Sequence, residues 1–118
     1  MKKTTYYSIF ILLFLSVKLS AQSWTCLNTG NSSIPSNSAM TPIFKDNAGN
    51  IWIHFNNIPG ISKFDGTNWS NYNTGNSGLT SNSVMSISQD IYGSYYIGTV
   101  DGLDYYNGTT WINIINTT

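Results

Sequence analysis

The one histidine of the chain, His54, is the side chain best suited to acid–base or ligand chemistry near neutral pH. Catalysis by it would need a nucleophile or carboxylate within hydrogen-bond reach, and the sequence specifies no such partner. The only acids are Asp46, Asp65, Asp90, Asp101 and Asp104, for there is no glutamate. Glycoside hydrolysis would need two of them flanking one bond at a defined separation, and their spacing places no pair that way. Asp46-Asn47-Ala48-Gly49-Asn50 has the oxygen-rich character of a calcium loop. It lacks the twelve-residue spacing and terminal glutamate of an EF-hand, and its counterpart Asp90-Ile91-Tyr92-Gly93-Ser94 drops the extra oxygen side chains. Both stretches read as hairpin turns. The expectation is therefore no catalytic residue, no metal site, no cofactor and no enzyme. Ligand contact is left to His54 and to three aromatics that a sheet face could present, Trp52, Tyr96 and Tyr105. Trp24, Trp69 and Trp111 recur at one repeat position, so packing is their expected role.

The elements that position these residues come in repeats. Residues 28–40 read N-T-G-N-S-S-I-P-S-N-S-A-M and residues 73–85 read N-T-G-N-S-G-L-T-S-N-S-V-M, identical at nine of thirteen positions and 45 residues apart. The three tryptophans are spaced by 45 and 42 residues, a period typical of propeller and solenoid arrays. Each copy of the duplicated stretch has loop composition. In each unit it leads into strands at residues 39–45 and 84–89, then 51–55 and 95–99, then 60–64 and 102–106. Unit one carries one extra residue beside Pro42, which predicts a bulge or an edge position. It also has a second loop longer by two residues, at 56–59. Asp65-Gly66 and Asn107-Gly108 are hairpin signals that deliver the next Trp strand. The expected fold is all-β: four-stranded antiparallel propeller blades, about two of them, in an incomplete ring. Blade one is placed at about 39–73 and blade two at about 84–116, with an orphan last strand at 24–28. No stretch carries apolar residues at helical spacing over a helical length.

Residues 1–21 read as a signal peptide. Lys2 and Lys3 precede an apolar run at 6–17, and Leu19-Ser20-Ala21 offers a cleavage site before Gln22. The run is shorter than the roughly 20 residues of a spanning helix. Trp24-Thr25 ahead of Cys26 lack the small residues that lipid attachment requires. Cleavage leaves Lys45 and Lys63 against the five aspartates, a net charge of −3. Such a chain has no footprint for nucleic acid and no polybasic stretch for a membrane surface. One cysteine permits no internal disulfide, so stability must come from packing or from other copies.

The run V-M-S-I-S-Q-D, then G, then Y-Y-I-G-T, D-G-L, Y-N-G-T and W at 84–111 resembles the two-component regulator propeller repeat. The run at 46–69 looks like the same repeat with a modified middle. The N-T-G-N-S-G-L-T-S-N-S linker is similar to that of exported propeller proteins of the Bacteroidetes type. The resemblance covers nearly all of 24–118. It implies an extracytoplasmic sensor segment of the kind found in hybrid histidine kinases, periplasmic, cell-surface or extracellular, with a glycan as ligand. Closed propellers have about four to eight blades, so the partners implied are other blades, from further copies or a longer chain. Residues 22–118 alone are not expected to be a stable folded monomer. Two other functions stay open: a structural or adhesive repeat fragment of a secreted surface protein, and a lyase or hydrolase propeller.

Overall fold

The computed structural model describes residues 25–116, so the signal peptide reading and Trp24 lie outside the described residues. The described chain is all-β, built of two four-stranded antiparallel meanders with propeller-like blade architecture. Blade one runs β1 (Ala39–Lys45), β2 (Ile51–Phe55), β3 (Ile58–Phe64) and β4 (Trp69–Tyr72). Blade two repeats it as β5 (Val84–Gln89), β6 (Tyr95–Thr99), β7 (Gly102–Tyr106) and β8 (Trp111–Asn116). In each, neighbours in sequence are neighbours in the sheet.

The connections show why these sequences turn where they do. In the first hairpin of blade one, Asp46 Oδ1 accepts from the Ala48 and Asn50 amides at 3.0 and 2.8 Å, and Gly49 takes φ of +89°. Asp90 repeats the device with Tyr92 and Ser94. At the last hairpins, Asp65 and Asn107 each cap two following amides through one side-chain oxygen. The duplicated stretch folds alike in both copies. The Asn28 carbonyl accepts from Asn31 and Ser32, and that of Asn73 accepts from Asn76 and Ser77. Asn37 and Asn82 each take a backbone amide eight residues back, from Thr29 and Thr74. The repeated polar residues are thus the bonds that hold the loop.

Two expectations are corrected. Residues 25–28 do not form a strand. A strand needs a hydrogen-bonded neighbour, and the described chain offers residues 25–28 no unpaired strand of their own blade. The two extra residues of unit one are not a longer loop either. The turn between β2 and β3 is only Asn56-Asn57, matching Val100-Asp101 in blade two. The ladder instead slips between Ile53–Ser62 and Phe55–Ile58, so Pro59 and Gly60 swell β3 into a bulge opposite His54. A bulge beside Pro42 is present as expected, with β1 and β2 losing register between Met40 and Ile43.

The blades pack face to face. Trp52, Ile61, Leu79, Val84, Tyr95 and Ile97 form one buried cluster spanning both sheets and the linker. Trp52 lies against Tyr72 and Tyr95, with ring centroids 5.4 and 4.7 Å away. Trp111 stacks on Tyr106 at 4.3 Å and reaches Tyr72 of blade one at 6.0 Å. It is the packing residue its repeat position implied.

Candidate functional site

At one end of the sheets, the β2–β3 turn and bulge of blade one meet the linker that enters blade two. Between them lies an open cleft of about 360 Å³ lined by His54, Asn56, Asn57, Pro59, Asn82 and Ser83. A second cleft of about 310 Å³ adjoins it, sharing His54, Asn56 and Ser83 and adding Met40, Met85 and Val100. His54 therefore stands between the two, at the junction of the blades.

The bulge shapes this end. Gly60 adopts φ of +80°, which side chains rarely tolerate. Its N–H donates to the Asn82 carbonyl at 3.0 Å, tying the third strand of blade one to the linker. Its carbonyl lies 2.7 Å from His54 Nδ1. A carbonyl oxygen can only accept, so Nδ1 carries the hydrogen, and in the neutral ring Nε2 keeps its lone pair. Blade two has Gly98 where blade one has His54, and a side chain there would collide with Ser86 Oγ. The imidazole is thus an individual feature of blade one.

The polar groups of the cleft differ in how far they are committed. Asn57 Oδ1 accepts from the Ser36 hydroxyl at 2.6 Å, and Asn82 Oδ1 accepts from the Thr74 amide at 2.9 Å. Among the described residues, the Asn82 NH2 group, the Asn56 side-chain amide and the Ser83 hydroxyl find no protein partner. No charged side chain of the described residues lines either cleft.

The remaining candidates are not gathered here. Trp52 is 0% exposed and sits in the core, so its ring is unavailable to a ligand and holds the blades together instead. Tyr96 and Tyr105 are cross-strand partners on the other face of blade two, with ring centroids 5.4 Å apart in an edge-on arrangement. The Tyr105 hydroxyl is within 2.9 Å of Ser94 Oγ. Both rings stay partly exposed, but in a position separate from His54. Sequence reasoning does not single out Asn56, Asn82, Ser83 or the two methionines. The repeated S-N-S-x-M at the end of each linker is the one signal that marks some of them.

The buried polar centre of the interface is Asp46. Its Oδ2 accepts from Trp52 Nε1 at 2.9 Å, from Asn50 Nδ2 at 2.8 Å and, across the interface, from the Tyr95 hydroxyl at 2.7 Å. Burial alone would raise this carboxyl, but the bonds from Tyr95, Trp52 and Asn50 outweigh it and hold the pKa at about 2. Burial pushes the Tyr95 hydroxyl well above the usual tyrosine range, and the adjoining carboxylate adds to it. Asp46 is a structural clasp between blades. Among the described residues, no group of three or more histidines, cysteines and acids is placed to hold a metal ion, and no helix is long and apolar enough to cross a membrane.

Compared with known proteins, the chain matches no protein-family model, no curated protein and no solved structure.

Proposed function

We propose that this chain is an exported, non-enzymatic propeller segment that binds a neutral saccharide in the His54 cleft, as part of a sensory or ligand-binding module. The observation that carries this reading is the set of uncommitted polar groups on Asn56, Asn82 and Ser83 in an uncharged cleft of about 360 Å³. Ligand sites commonly span some 300–1,000 Å³. Amides both donate and accept, which suits a ligand carrying hydroxyls and no charge. The resemblance to two-component regulator propeller repeats supports the same class of ligand.

The test is titration of the full chain with a panel of neutral oligosaccharides, followed by calorimetry or by amide chemical shifts. One class is expected to bind saturably and to perturb residues 54–59 and 82–83. Asn56→Ala and Ser83→Ala are each expected to weaken it about fivefold to tenfold, the equivalent of one hydrogen bond. Neither side chain supports the fold through a hydrogen bond of its own. Absence of saturable binding across the panel would sink the reading.

One observation favours a structural repeat role alongside it. The face of blade two that corresponds to the packed face of blade one is open, with Ile112 and Ile115 each 53% exposed beside Leu103 and Tyr105. An apolar face of this kind fits another blade. Light scattering is expected to show concentration-dependent association that Ile112→Lys abolishes; a monomer at every concentration would count against it.

A further inference from the structure

We propose that Met40, Met85 and His54 form a binding site for a soft monovalent cation, copper(I) in the first place. All three line the cleft of about 310 Å³ at the junction of the blades. Apart from Met1, they are every methionine and histidine in the chain.

Neither methionine is placed as packing methionines are. Met normally fills irregular gaps in cores, yet Met40 is 47% and Met85 65% exposed. Both occupy the same repeat position at the end of the duplicated stretch. Both also stand where a sheet loses register, after Met40 in β1 and at Met85 in β5. Bulges re-aim side chains and are common next to functional sites. Met40 is the direct cross-strand partner of His54, so the two project from the same face of the sheet. Strand β5 lies alongside β1 and brings Met85 to the same cleft.

The histidine is held as a metal-binding histidine is held. Its Nδ1 hydrogen is taken by the Gly60 carbonyl at 2.7 Å, which fixes the ring and leaves Nε2 as the free lone pair. Ligating histidines typically donate their other ring N–H in this way. Two thioethers and an imidazole are neutral and soft, a set that selects copper(I). Calcium and magnesium require oxygen donors, commonly carboxylates, and among the described residues no carboxylate lines the cleft. Blade two lacks the site because Gly98 replaces the histidine.

The experiment uses the full chain carrying Cys26→Ser, because the exposed Cys26 thiol would itself capture copper(I). Titrated anaerobically with copper(I) against a chromogenic copper(I) chelator, it is expected to take up one equivalent. His54→Gln, Met40→Leu and Met85→Leu should each weaken uptake at least about tenfold. Met→Leu conserves volume and apolarity, so it separates sulfur ligation from packing. Silver(I) is expected to shift the Met40 and Met85 methyl resonances and leave Met1 unchanged. Uptake that vanishes with Cys26→Ser, or persists undiminished in both leucine variants, would overturn the proposal. Asn57 lines only the larger cleft, so Asn57→Ala should leave copper uptake unchanged, and this site and the saccharide cleft stand or fall separately.

Discussion

Asp46→Ala is expected to destabilise the chain by about 4 kcal/mol, whereas Asp90→Ala at the equivalent position should cost only about 1 kcal/mol. Both aspartates cap a hairpin through Oδ1, so the loss of turn bonds is common to the two. Only Asp46 also holds two donors of buried residues, Trp52 Nε1 and the Tyr95 hydroxyl, the residues being 0% and 7% exposed. A buried donor left unmatched costs about 1–3 kcal/mol, more when the lost partner was charged. Tyr95 belongs to the second blade, so the variant loosens the interface as well as the hairpin. The same contact sets an acid limit. The folded carboxyl, at about 2, lies below its ordinary value of 3.8, so its stabilisation is complete above that ordinary value and is lost as pH falls through about 2. Denaturant midpoints measured for both variants, and for the parent between pH 6 and pH 2, check each part. Equal losses at the two aspartates, or an Asp46→Ala variant with unchanged acid sensitivity, would refute the clasp.

The clasp is hidden from sequence reading for a physical reason. Periodicity locates the strands because each blade repeats one pattern of Trp, Gly and apolar residues, and local pattern determines local structure. The contact between Asp46 and Tyr95 spans 49 residues and is not itself repeated. Blade one carries Ile51 where blade two carries Tyr95, so the repeat alignment alone reads the tyrosine as one more apolar strand residue. Trp52 misleads in the opposite direction: a tryptophan in a strand that is apolar on both faces can lie on either side of the sheet. Packing of the second blade decides which, and here it buries the ring completely. The extra Pro59-Gly60 pair is visible as a count, but a count does not say whether loop or strand absorbs it. Pairing of Phe55 with Ile58 keeps the turn at two residues and forces the surplus into the ladder. His54 is legible as a residue and illegible as a position, because its partner is the carbonyl of that bulge.

Gly60→Ala should therefore be the most damaging glycine substitution in blade one. A Cβ at this position would overlap the Tyr72 carbonyl oxygen and stand 2.8 Å from its carbon, both backbone atoms of β4 that cannot rotate away. Its φ of +80° adds a left-handed penalty of about 1–2 kcal/mol for any residue with a side chain. Relieving the overlap requires β3 and β4 to separate, and overpacking of this kind adds about 1–3 kcal/mol. The total expected loss is about 2–5 kcal/mol. Gly49 and Gly66 supply the control, since both have positive φ and no atom within 4 Å of where a methyl group would stand. Alanine at either should cost only that backbone penalty, about 1–2 kcal/mol. The substitution at Gly60 also breaks two contacts that build the candidate site, its N–H to the Asn82 carbonyl and its carbonyl to His54. A partly destabilised Gly60→Ala protein should consequently lose saccharide and copper(I) binding together, while Gly49→Ala and Gly66→Ala retain both. Thermal unfolding read beside the two titrations separates these outcomes, and a Gly60→Ala protein as stable as its controls would show that the bulge does not hold this end of the blade.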